Sequence, residues 1–159
     1  AAGTGTMSFT ITNNAIHQIA GNAHIYADNT GGSYTANFTI QGNTLDTPNL
    51  ASWFAGIAIT NGSPTSTDSV NVCAAIGGAA AAQKNTLNLG GNLGVIVGSS
   101  GASGGHTFNL PTFPGPSNQA NVEAFIQANN SGSFFTNAFA DGPATFAAFT
   151  GSGTSCPTP

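Results

Sequence analysis

Between Ser33 and Gly42 apolar and polar residues alternate without a break. Tyr34, Ala36, Phe38 and Ile40 fall on one side, and Thr35, Asn37, Thr39 and Gln41 on the other. A period of two predicts a half-buried strand with one dry and one wet face. Ala23 to Asp28 is also β-prone, and Asn29-Thr30-Gly31-Gly32 between the two supplies residues that tolerate the left-handed conformations of a hairpin turn. Residues 22–42 therefore predict a β-hairpin with the rest of the sheet built around it.

The pattern recurs along the chain. Phe9 and Ile11 alternate with Ser8, Thr10 and Thr12 in Met7 to Thr12, after a small-residue leader at 1–6. Ile16 to Ala20 predicts a further strand beyond an Asn13-Asn14 turn. Ser52 to Thr60 is apolar on both parities, as a central strand would be. Ser69 to Ile76 alternates again, Leu87 to Val97 predicts two short strands around Gly90-Gly91, and His106 to Leu110 predicts another, ended by Pro111. Gly77 to Ala82 fits helix or loop equally. Val122, Phe125 and Ile126 sit at helical spacing after Ser117 and Asn118, either of which could cap, and 129–132 would stop that helix. Residues 133–150 fit two strands or two short helices. Short strands separated by frequent turn signals predict a mainly β single domain over 1–159, an antiparallel β-sandwich or barrel of about 8–10 strands with one short helix near 118–129.

Composition narrows the setting. Only 4% of the 159 residues are charged, against about 25% in ordinary soluble domains. Lys84 is the one cation besides histidine, so the chain cannot clamp phosphates, and no nucleic-acid partner is expected. No run of roughly 18 apolar residues exists, so no membrane insertion is expected. With 40% hydrophobic residues and eleven Phe, the chain is not a disordered one. An uncharged coat of Asn, Thr, Ser and Gly suits an extracellular molecule, secreted or at a cell surface, where sugars or assembly replace charge repulsion. The opening Ala1-Ala2-Gly3 reads as a mature start after signal removal. Cys73 and Cys156 are an even pair able to form a disulfide within or between chains, which would tie the 151–159 tail. Asn37, Asn61 and Asn129 begin N-glycosylation sequons, and Pro64 weakens the one at Asn61. In composition alone the chain resembles strand-donating pilins and small secreted fungal proteins. No motif carries a family.

No constellation names a reaction. Gly101-Ala102-Ser103-Gly104-Gly105 matches G-x-S-x-G, but an elbow needs a strand before it and a helix after it, and His106 follows at once. His17, His24 and His106 have no metal-ligand spacing, so no metal or cofactor is expected. Asp28, Asp46, Asp68 and Asp141 lie mostly beside turns, and Glu123, the only Glu, lies in the predicted helix. Trp53 reads first as core and second as a sugar-stacking platform, and the Phe cluster of 122–149 as core.

The leading expectation is an extracellular structural or adhesive protein, a subunit of a filament or surface layer. Sheet edges are normally guarded by charge, and this chain has almost none to place there. Its strand at Met7, Phe9 and Ile11 has the form of one that could be donated to a neighbour's sheet. The alternatives are a monomeric lectin-like module binding neutral glycans and an acid-tolerant secreted hydrolase.

Overall fold

A computed structural model describes residues 4–17, 23–46, 55–62, 69–100, 105–141 and 145–157. Strands β1 (Thr6–Thr12), β2 (Ala15–His17) and β3 (Ala23–Asn29) make one turn of a coil. Strands β4 (Ser33–Gln41), β5 (Thr44–Asp46) and β6 (Ala55–Asn61) make the next. In the third, β7 (Ser69–Ile76) is followed by a 3₁₀ turn at Ala81–Gln83 and by β8 (Thr86–Ser100), which serves both remaining faces. The fourth holds β9 (Thr107–Asn109), helix α1 (Gln119–Ala128) and β10 (Ser131–Asp141). A 3₁₀ turn at Phe146–Ala148 and β11 (Phe149–Thr150) follow.

Each strand pairs in parallel with the strand one coil later. Thr6 lies beside Thr35, Thr35 beside Asn71, and Asn71 beside Thr107. One sheet runs β1-β4-β7-β9-β11, and the other runs β2-β5-β8-β6-β3 with β10 also on β8. Every pairing in both sheets is parallel. The expected antiparallel sandwich or barrel is therefore wrong: the chain winds as a parallel β-solenoid. The 22–42 hairpin is wrong as well, because β3 pairs β6 while β4 pairs β1 and β7. Alternation within a strand reports only that one face is dry, and that holds equally for a flat sheet and for the wall of a coil. The Asn29–Gly32 turn carries the chain to the next face instead of reversing it.

Inside the coil, like positions stack. Ala36, Val72, Phe108 and Phe149 form one buried column, Ile40 and Ile76 another, and Ile25, Ile57 and Val95 a third. The rings of Phe108 and Phe149 lie 5.1 Å apart, so the aromatic column contributes ring contacts beyond area burial. Two expected strands around Gly90-Gly91 are one continuous strand, and 77–82 is mostly loop. The expected helix forms, with Asn118 Oδ1 accepting from the backbone N–H of Asn121 at 2.9 Å, and it buries Val122 and Ile126. Of 133–150, residues 133–141 are strand, Phe146–Ala148 a 3₁₀ turn and Phe149–Thr150 a short strand.

At one corner the coils are joined by asparagines. Asn14 donates to Asn43 Oδ1 through its backbone N–H and its Nδ2, both at 3.0 Å, and Asn43 does the same to Asn85 Oδ1, also at 3.0 Å. Asn85 Nδ2 donates to Asn130 Oδ1 at 2.8 Å. This ladder satisfies polar groups that a tight corner would otherwise leave bare inside the fold. Across the second corner Asn29, Asn61 and Ser99 stack in register.

Candidate functional site: an open first coil and a covered last one

The two ends of the solenoid differ. At the last coil, α1 is fastened by the chain's only Glu and its only Lys. Glu123 Oε1 accepts from the backbone N–H of Ala138 in β10 at 3.0 Å, and Lys84 Nζ donates to the Ala128 carbonyl at the helix C-terminus at 2.7 Å. A carboxylate on a strand N–H and an ammonium on terminal carbonyls are charge-assisted bonds, stronger than neutral ones. Phe125 packs edge-on against Phe113, 5.4 Å between ring centres, so the helix is also held by apolar contact.

The first coil has no such cover among the described residues. Strands β1, β2 and β3 each pair on one side only. Met7 is 43% exposed, Phe9 45% and Tyr26 57%, three large apolar side chains on one coil, against the single Phe135 on β10 at 61%. Between β1 and β3 lies a cavity of about 380 Å³, walled by Met7, Phe9, Ile11, Ile25, Tyr26 and Phe38 among others. Phe9 rests on Phe38 with ring centres 5.3 Å apart, which leaves its other face toward the mouth. At the rim, Asp28 accepts from the Thr60 hydroxyl at 2.8 Å. Asn14, the top of the ladder, offers its Oδ1 without a donor above it among the described residues. The mouth is thus the core of the coil cut across, with a strand edge on either side.

Met7, Phe9 and Ile11 are brought together here, but β1 is paired through its whole length with β4 of the same chain. It is an edge and not a loose donor. Thr6, assigned to the leader from sequence, already belongs to β1, and Gly5 accepts from the Thr35 N–H at 2.9 Å.

The other singled-out residues scatter. Cys73 and Cys156 form a disulfide within the chain. It straps the C-terminal segment over the outer face of the first sheet, where Asn109 receives the Ser152 backbone N–H at 2.8 Å and donates to the Ser152 carbonyl at 2.9 Å. Asn37 is 2% exposed with Nδ2 on Ser8 Oγ, and Asn61 is fully buried with Nδ2 on the Val70 and Thr107 carbonyls. Asn129 is half-buried at the end of α1, with Nδ2 on the Phe125 carbonyl. Of the three, Asn129 is the one with its side chain nearest solvent.

His17, on β2, bonds Asp46 on β5 at 2.6 Å, tying the first coil to the second. His24 lies on β3, and buried His106 accepts from the Val70 N–H through Nδ1 at 3.1 Å, so the three histidines occupy three separate faces. Among the described residues no three His, Cys, Asp or Glu side chains gather as a metal site would require. Trp53, Asp68 and 101–104 of the G-x-S-x-G match lie outside the described residues. Among the described residues no helix is long and apolar enough to cross a membrane.

Sequence reasoning missed the ladder and the unequal ends. The ladder had a signal: Asn14-Ala15-Ile16, Asn43-Thr44-Leu45 and Asn85-Thr86-Leu87 repeat Asn, small, aliphatic. No protein-family model, curated protein or solved structure matches the chain.

Proposed function

We propose that this is an extracellular structural or adhesive protein, a subunit that joins a neighbour edge to edge through the open first coil. One observation carries the reading: the charged side chains that fasten a cover over the last coil have no counterpart on β1, whose seven residues include none with a charge. An unpaired, uncharged strand edge such as that of β1, beside exposed apolar side chains, is a template for another chain. The internal disulfide and the ion-poor surface support an extracellular setting. Because β1 is committed to its own sheet, joining adds a strand to that edge and does not exchange β1.

Light scattering after size exclusion, backed by electron microscopy, tests this across roughly 1–100 μM, the range in which a small interface of this kind operates. A concentration-dependent rise above the 15.7 kDa protomer mass is expected. Met7→Lys, which places an ammonium on the edge, should return the protein to the protomer mass. A protomer at every concentration would remove the reading.

A further inference from the structure

We infer, resting on the assembly reading above, that the partner at the open coil is a second copy of this chain, docked head to head about a two-fold axis through Phe9. The sequence of β1, Thr6-Met7-Ser8-Phe9-Thr10-Ile11-Thr12, is symmetric in character about its centre. Turned end for end on itself, it sets Phe9 against Phe9, Met7 against Ile11, Ser8 against Thr10 and Thr6 against Thr12. Apolar meets apolar and hydroxyl meets hydroxyl at each step, and β1 brings no charge to the pairing. A two-fold interface requires this self-complementarity, because each side must fit its own copy. Antiparallel pairing of the two β1 edges then brings both mouths together, and the exposed Phe9 rings meet over the two cavities of about 380 Å³ each.

The ends dictate the polarity. A head-to-tail stack would have to set one chain's first coil on another's last, but α1 is fastened across that end through Glu123 and Lys84. Head to head, only open coils meet. Seven-residue strands at ~3.3 Å per residue make an end face roughly 20 Å on a side, so contact would bury about 800–1,000 Å² in all, the lower bound of a stable interface. Association in the tens of micromolar therefore fits better than a permanent dimer.

Disulfide trapping reads the geometry directly. Thr10 is exposed and Ser8 half-buried, its Oγ accepting from Asn37 Nδ2 at 3.2 Å, and both alternate with the residues that wall the mouth, so cysteines there leave the mouth intact. In the two-fold arrangement Ser8 lies opposite Thr10 of the other copy at a Cα separation of ~4.5–5.5 Å, within disulfide reach, whereas two copies of Ser8 sit ~8 Å apart, beyond it. Mixing full-length Ser8→Cys protein with Thr10→Cys protein under mild oxidation should give a crosslinked dimer at least tenfold more abundant than either variant alone. Phe9→Lys and, as a second variant less dependent on ring packing, Met7→Glu should abolish it in protein whose circular dichroism is unchanged. Ser8-to-Ser8 crosslinks in an associating protein would overturn the two-fold arrangement while leaving self-association standing. A protein that stays at protomer mass at 100 μM, or that binds an apolar dye in the mouth without associating, would overturn both.

Discussion

Asn85 is the point at which the ladder is most concentrated, and replacing it tests whether the ladder holds the coils together. Its Oδ1 receives two donors from Asn43, and its Nδ2 serves the Ile40 carbonyl at 2.8 Å and Asn130 Oδ1 at 2.8 Å, all at a fully buried site. Asn85→Ala leaves the Asn43 backbone N–H, the Ile40 carbonyl and Asn130 Oδ1 each without that partner. Asn43 Nδ2 keeps a second acceptor in the Ile11 carbonyl. The Ile40 carbonyl keeps the Gly77 N–H at 2.8 Å. Stranding a buried polar group costs about 1–3 kcal/mol, and the Asn43 N–H and Asn130 Oδ1 share one relaxing site, so a loss of about 3 kcal/mol is expected. For a chain of this size that is a fall in melting temperature of about 6–12 °C. Asn85→Asp separates hydrogen bonding from shape. The carboxylate keeps the acceptor but turns an anion toward two oxygens, so it should destabilise at least as much as Ala at neutral pH. Urea unfolding followed by circular dichroism, with exposed Asn88→Ala as a control expected within about 0.5 kcal/mol of the parent, gives the values. A loss below about 1 kcal/mol for Asn85→Ala, or tolerance of Asp, would refute the ladder's role.

The remaining expectations concern the strap, the cover and one strained residue. Cys73→Ser with Cys156→Ser opens a closure spanning 83 residues and should cost about 4 kcal/mol on the loop-entropy model, read as a lower urea midpoint with secondary structure retained. Glu123→Ala removes the acceptor from the Ala138 N–H and should cost about 1–3 kcal/mol, whereas Glu123→Gln, which keeps an oxygen there, should cost less than half of that in the same titration. Thr112 holds φ at 67°, a conformation disfavoured for a β-branched side chain, so Thr112→Gly should be neutral or stabilising by up to about 1 kcal/mol, and a clear loss in thermal melts would contradict the strain.

Local order was legible in the sequence, and its global arrangement was not. The alternation of Tyr34 to Gln41 and of Val70 to Ile76 located β4 and β7 nearly to the residue, and Asn118 with Val122 and Ile126 located α1. Those patterns depend on which face of a segment is dry. Whether the next strand runs parallel or antiparallel depends on where the turn delivers the chain, and Asn29-Thr30-Gly31-Gly32 is compatible with reversal or with a corner. The information that favoured a coil lay at longer range. Asn14, Asn43, Asn85 and Asn130 are separated by 29, 42 and 45 residues, an uneven interval because loops of different length leave each coil. A search for a fixed repeat passes over it, whereas a search for Asn before a small and an aliphatic residue finds three of the four. The site was legible in part: the apolar positions of β1 marked an edge, but only the pairing of β1 with β4 showed that this edge stays in its own molecule.

The winding also explains how so few charges suffice. In a flat sheet every added chain leaves two long edges to protect, but in a solenoid each strand is an edge only if its coil is the first or the last. Inner strands such as β4, β6 and β7 are paired above and below, so no charge is needed along them. The requirement contracts to two end faces. At one of them the chain places its single Glu and its single Lys, on either side of a helix that covers the apolar core. At the other it places a strand of threonines, a serine and three apolar residues whose pattern matches itself when reversed. If poverty of charge were only a feature of the surface at large, the one Glu and the one Lys would have no reason to meet on the same element. Their convergence on α1, with no such fastening on the first coil among the described residues, makes a difference between two ends of one molecule, and that difference is what the proposed association would use to select one end.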